Sequence, residues 1–141
     1  FGQRAGSLAA AEASRPVPKI SLCHRGRIQA GRELDIDDLR NSLRSPTWRN
    51  VGVDRDAAGL KYALDSIRVW SGYVLDRSFD SPEAWELQNL ITLGQLVTGS
   101  ALHRKESRGV HMRRDHPKTN DRRWKKRLVV RRDEAIREAR V

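Results

Sequence analysis

The sequence predicts an all-α fold: a three-helix antiparallel bundle, spectrin-repeat-like, followed by an extended basic C-terminal arm. Three observations predict it. Apolar residues recur at alternating steps of three and four along three long segments. Capping residues, prolines and glycines bound those segments. No strand-like alternation of comparable length appears. A chain of 141 residues supports one domain and is long enough to bury a core. The expected organisation is a helix end at 1–13, a linker at 14–34, the bundle at 35–109 and the basic arm at 110–141.

Residues 1–13 are Ala-rich and read as the last turns of a helix. Pro16, Pro18, Gly26 and Gly31 then break any periodicity as far as Arg32. Asp35 is placed to cap the first bundle helix, with Asp37 and Asp38 at the positive end of its dipole. Ile36, Leu39 and Leu43 form its apolar stripe, and Pro46 ends or kinks it at Ser45. Trp48 and Val51 continue the same face. After Gly52, Asp54 is the expected cap of the second helix. Its seam runs Val53, Ala57, Leu60, Leu64, Ile67, Ser71 and Val74, widened by Trp70 and Tyr73.

Ser81-Pro82-Glu83 opens the third helix with a capping hydroxyl, a proline at the first helical position and an acid in the first turn. Leu87, Leu90, Ile91, Gly94, Val97 and Ala101 mark its buried side. Gly94, Thr98, Gly99 and Ser100 are small, which predicts close approach of a neighbouring helix. The pattern runs to Ser107, with Gly109 placed to stop it in a left-handed cap. Val110 to Trp124 reads as too polar for core. Lys126 to Arg132 reads as a short strand or an extended arm, and Asp133 to Arg140 as a frayed helix.

The net charge of +10 sits in one place. Residues 103–132 hold 13 Lys+Arg and 3 Asp+Glu, and the rest of the chain is balanced. Such a stripe calls for an acidic partner or serves as a solvated surface, and composition does not separate the two. The chain has one cysteine, Cys23, which excludes an internal disulfide framework and a cysteine-based zinc site. It contains no apolar run of 18 residues, so no membrane helix or membrane partner is expected. It begins at Phe1 and reads as a piece of something longer.

The candidate chemistry is sparse. His103, His111 and His116 lie among Arg113, Arg114 and Lys118, whose repulsion disfavours a dication, so no metal site is expected. Cys23-His24 lacks an orienting third group. No Walker-type loop, Gly-x-Gly-x-x-Gly or Ser-centred nucleophile elbow occurs. The informative stretch is Ala101 to Trp124. Glu106 and Arg108 are expected to project from a helix end, with His111, Arg113 and Asp115 following on an extended run suited to charge-assisted docking. The same residues can instead form internal salt bridges that tie the arm to its own bundle, and composition leaves both open.

Arg104-x-Glu106-Ser107-Arg108-Gly109-x-His111-x-Arg113-x-Asp115-x-Pro117, then Asp121-x-x-Trp124, resembles the C-terminal helical-domain signature of the succinate dehydrogenase/fumarate reductase/L-aspartate oxidase flavoproteins. The opening FGQRAG, Leu39-Arg40, Val51-Gly52-Val53-x-Arg55, Leu60-x-x-Ala63 and Glu86-Leu87-x-Asn89-Leu90 fit the same family in order. Asp38 to Ile67 and Val69-Trp70 look more like its L-aspartate oxidase members. The resemblance implies a cytoplasmic FAD-dependent parent that oxidises L-aspartate to iminoaspartate, with oxygen or fumarate reoxidising the flavin and the product feeding quinolinate formation in NAD biosynthesis. The alternative it leaves is a succinate dehydrogenase or fumarate reductase flavoprotein subunit. The implied catalytic and FAD-binding residues lie upstream of Phe1, so none is assigned within these 141 residues, and the piece alone is expected to bind no FAD. Its implied partner is the FAD-binding domain of the same polypeptide, with Glu106, Arg108, His111, Arg113 and Asp115 as docking residues. Oligomerisation is possible. A basic nucleic-acid-binding module is the remaining reading. The lack of aromatic residues between Val110 and Asn120 argues against a stacking platform, so no nucleic acid is expected.

Overall fold

A computed structural model of the chain describes residues 2–13, 34–131 and 135–140. The expected linker therefore lies, but for Leu34, outside the described residues, as do Phe1, residues 132–134 and Val141. The chain is mostly helical. In order, its elements are α1 (Gly2–Ala13), α2 (Ile36–Val51), β1 (Asp54–Arg55), α3 (Ala57–Val74), α4 (Pro82–His103), β2 (Met112–Arg113), α5 (Asp121–Trp124), β3 (Lys126–Val129) and β4 (Arg137–Arg140). The helices α2, α3 and α4 each pack on the other two. Their shared core is Leu43, Ile67, Val74, Leu87 and Ile91, ringed by Leu34, Ile36, Leu39, Trp70, Phe79 and Leu90.

Two of the expected caps hold. Asp35 accepts from the Asp38 N–H, and Ser81 accepts from the Ala84 N–H ahead of Pro82. Two boundaries differ. The cap of α3 is Asp56, which accepts from Gly59 N, whereas Asp54 lies in β1, paired in parallel with Met112 of β2. That pairing joins segments 58 residues apart, which no local pattern reveals. Nor does Pro46 end α2: the helix continues through it to Val51, and the Thr47 hydroxyl donates to the Leu43 and Arg44 carbonyls in the disturbed turn.

The apolar stripes are narrower than expected. Leu60, Leu64, Ile67 and Val74 are buried, but Val53, Ala57, Tyr73, Val97 and Trp48 are exposed. Residues at the margins of each stripe face water. Gly94 does mark a close approach: a Cβ there would meet the Ile67 Cδ1 at 3.4 Å and the Leu43 Cδ1 at 3.9 Å.

The basic segment is folded rather than extended. Residues 137–140, expected as a frayed helix, form β4 and pair antiparallel with β3, Leu128 opposite Glu138. Along β3, Lys126 and Leu128 face inward and Arg127 and Val129 outward, the two-residue period of a strand. Trp124 is buried, its ring edge-to-face with His103, so the 110–124 stretch does contribute core.

Two substitutions test the packing. Leu87→Ala should lower the urea-unfolding free energy by about 2–5 kcal/mol. Thr98, fully buried on α4 with no partner for its hydroxyl among the described residues, should behave oppositely. Thr98→Val should raise stability by roughly 1 kcal/mol, and a loss would show that the hydroxyl is satisfied.

Candidate functional site: a buried ion-pair junction at the end of the third core helix

Helix α4 ends at His103, four residues before Ser107, and the reason is charge. Helix C-termini leave carbonyls without intrahelical partners and carry the negative pole of the dipole. The Arg113 guanidinium, 1% exposed, occupies that pole. Its Nη1 donates to the carbonyls of Ala101 (2.8 Å), Leu102 (3.2 Å) and Arg104 (3.2 Å). Its Nε and Nη2 grip Asp115 in a two-pronged bond at 2.8 and 2.7 Å. Asp115 in turn accepts from Ala57 N, the first N–H of α3 (3.2 Å). One ion pair thus places its cation on the negative end of α4 and its anion on the positive end of α3. These contacts, the Arg113 guanidinium first, hold the Asp115 carboxyl well below the usual carboxylate range.

Glu106 forms the second half of the junction. Its side chain has no exposure at all. It accepts from Arg104 Nη1 at 2.7 Å, Arg108 Nε at 2.9 Å, Arg108 Nη2 at 3.2 Å and the Asn120 N–H at 2.8 Å. Burial pushes this carboxyl up, and the bonds from Arg108, Asn120 and Arg104 outweigh it, holding it down at about 2. Arg104 continues the lattice to the carbonyls of Trp124 (2.9 Å) and Lys126 (2.7 Å). Two guanidinium groups lie over the Trp124 ring, Arg104 at 5.5 Å and Arg123 at 4.7 Å from its centroid. Arg108 reaches on to Asp121, and Glu106 and Asp121 together raise its pKa.

Gly109 does not cap α4. At φ +58° it occupies the left-handed region in a tight turn, where Arg108 and His111 exchange backbone hydrogen bonds at 2.9 and 3.0 Å. Ser107 Oγ accepts from Arg113 N (2.8 Å) and donates to His116 O (2.9 Å). The turn aims His111 at Arg55, whose Nη1 lies 2.6 Å from His111 Nδ1, while His111 Nε2 lies 3.3 Å from Arg104 O. Arg55 can only donate, so Nδ1 accepts and the proton is assigned to Nε2: the ring is neutral. Burial first, then the nearby Arg55, Arg113 and Arg104 charges, lowers its pKa.

Of the five residues expected to dock outward, Glu106 and Arg113 are therefore inside, and the helix end that was to project Glu106 instead encloses it. Asp115 joins two helix poles, while Arg108 and His111 retain solvent-facing edges. Arg55 and Asn120 complete the junction although neither stood out as a candidate. Glu138 closes the hairpin end: Arg123 grips both of its oxygens, Lys126 Nζ lies at 3.0 Å and His103 Nε2 at 3.4 Å. The sequence offers no clear signal for it, since Asp133 and Glu134 stand in the same C-terminal segment. Among the described residues, no group of three or more His, Cys, Asp or Glu side chains is arranged to hold a metal ion.

The junction is built from the Arg104 to Trp124 motif, and the family model described as fumarate reductase flavoprotein C-term matches residues 40–141, which contain it whole. The chain belongs to this flavoprotein C-terminal family. It is 35% identical to an uncharacterised FAD-dependent oxidoreductase of Methanocaldococcus jannaschii over 70% of this chain and 19% of that protein. It is 32% identical to a subunit of the fumarate reductase (CoM/CoB) of Methanothermobacter marburgensis over 94% of this chain and 27% of that protein. It is 34% identical to L-aspartate oxidase of Acinetobacter baylyi over 59% of this chain and 16% of that protein. The solved structure titled Mycobacterium smegmatis Sdh1 in complex with UQ1 shares its fold over 98% of this chain and 23% of that one, with a TM-score of 0.60 at 21% identity. The chain thus spans about a quarter or less of the length of these relatives.

Titration tests the junction. Glu106 ionises at about 2 in the folded chain against 4.5 for an ordinary glutamate, so its stabilisation is complete above pH 4.5 and is lost as pH falls toward 2. Removing one partner of a buried pair costs about 3 kcal/mol or more, so Glu106→Gln should unfold at lower urea near neutral pH. It should also flatten the dependence of stability on pH between 4.5 and 2. An unchanged slope in the variant would mean that Glu106 is not the titrating group.

Proposed function

We propose that this chain is the C-terminal structural domain of an FAD-dependent oxidoreductase, specifically an L-aspartate oxidase, and that it contributes shape rather than a catalytic group. In this reading α2, α3 and α4 form an antiparallel three-helix bundle that braces the FAD-binding domain of the same polypeptide. The parent converts L-aspartate to iminoaspartate for NAD biosynthesis in the cytoplasm, FAD taking up the two electrons and passing them to oxygen or fumarate. Among the described residues no helix is long and apolar enough to cross a membrane.

The observation that carries the structural role is the use to which the motif charges are put. Arg113, Asp115 and Glu106 bind helix poles, carbonyls and one another, an arrangement that stiffens a block and offers no free nucleophile or base. Among the described residues the starts of α2, α3, α4 and α5 offer FAD no free cradle: Asp35, Asp56, Ser81 and Asn120 each take an N–H that a pyrophosphate would use. FAD is therefore assigned to the rest of the parent, and no step of its chemistry is routed through this chain. Docking is assigned to the outward edges of Arg108 and His111, with Glu106, Arg113 and Asp115 fixing them from behind.

The second reading, a succinate dehydrogenase or fumarate reductase flavoprotein subunit whose basic segment meets an iron–sulfur partner, is favoured by reach. The match to the Methanothermobacter fumarate reductase extends over 94% of the chain, against 59% for the Acinetobacter oxidase.

Assay of the full-length parent decides between them. Peroxide formed with L-aspartate is the expected result, and activity with succinate or fumarate alone would overturn the oxidase assignment in favour of the second. Arg108→Ala in that parent should lower its melting temperature and its flavin content. If both stay at wild-type values, Arg108 has no docking role.

A further inference from the structure

The junction leaves one guanidinium without an anion. Asp115 serves Arg113, and Glu106 serves Arg104 and Arg108. Arg55, part-buried beside them on β1, meets no carboxylate among the described residues. Its Nε donates to the Val51 and Gly52 carbonyls and its Nη1 to the neutral His111 ring. Its Nη2 has no partner among the described residues. Burial first, then the Arg113 charge, lowers the pKa of Arg55, as expected of a cation held without a counter-ion.

Arg55 and His111 line an open cavity of about 430 Å³ together with residues of α4 and β3. Arg104 lines it too, but both of its Nη atoms are committed to Glu106 and to the carbonyls of Trp124 and Lys126. The Ser100 hydroxyl is available, since it makes no hydrogen bond among the described residues. Leu96, Val97 and Leu128 make the remaining lining aliphatic. A few polar groups set in an apolar hollow are the usual composition of a small-molecule site.

We propose that this cavity binds a small aliphatic monocarboxylate, its head paired with Arg55 and Ser100 and its chain against Leu96, Val97 and Leu128. The charge of the wall excludes a cationic ligand. A carboxylate matches the free edge of a guanidinium group. Inorganic phosphate would satisfy the charge and leave the aliphatic lining wet, whereas a short alkyl chain covers it. A dicarboxylate would set its second charge against the same aliphatic groups, at the cost of desolvating it. The inference needs neither FAD nor turnover.

Isothermal titration of the full-length polypeptide with acetate, butyrate, hexanoate and inorganic phosphate tests it. Affinity should rise about fourfold for each methylene that the cavity covers. Equal affinities along the acid series, or phosphate bound as tightly as hexanoate, would reduce the cavity to a bare anion contact and overturn the proposal. Failure of hexanoate to bind would overturn it too. Two variants place the site. Val97→Asp sets a carboxylate at an exposed point of the lining, so hexanoate should bind about tenfold more weakly or worse, without a lower melting temperature. Arg55→Lys keeps the charge and loses the planar fork, so it should weaken every acid of the series by a similar factor. Hexanoate bound at full strength by Val97→Asp protein would put the site elsewhere in the polypeptide and overturn the proposal. That variant decides even if Arg55→Lys fails to fold.

Discussion

A charge taken out of water must be matched where it comes to rest, and the C-terminal half of this molecule is arranged around that constraint. Glu106 and Arg113 are the two largest charged groups withdrawn from solvent. An unpaired buried ion costs several kcal/mol, so each must meet its partners in good geometry or the segment cannot pack. Glu106 meets two arginines and a backbone N–H, and Arg113 meets an aspartate and three carbonyls. The backbone between them follows from these demands. Gly109 makes the tight turn possible, Ser107 bridges it, and β2 lies alongside β1 to bring Asp115 to the start of α3.

The same constraint divides the cations of the basic segment into two populations. Arg104, Arg108, Arg113, Arg114, Arg123 and Lys126 are tied to carboxylates. Lys105, Lys118, Arg122, Lys125, Arg127 and Arg131 are all exposed. The net positive charge thus resides in the outer set, while the inner set joins α3, α4 and the β3–β4 hairpin into one block. A block whose ion pairs are internal is suited to support a neighbouring domain, and one whose surface remains cationic is suited to an acidic neighbour.

The sequence by itself determined the core helices and the caps that open α2 and α4. Asp35 and Ser81 act through bonds three residues long, and Leu60, Leu64, Ile67, Leu87 and Ile91 repeat at the helical period whatever lies opposite. It also located the Arg104–Trp124 motif as the distinctive stretch, but not which way its side chains face. Only the tertiary structure decided that Glu106 and Arg113 lie inside, that Asp54 pairs with Met112 so that Asp56 caps α3, that residues 137–140 form a strand, and that Trp48 faces out. The reason is one of range. A cap or a stripe is settled among neighbours in the chain, whereas the burial of a charge or an indole depends on whether a partner arrives from a distant part of the sequence.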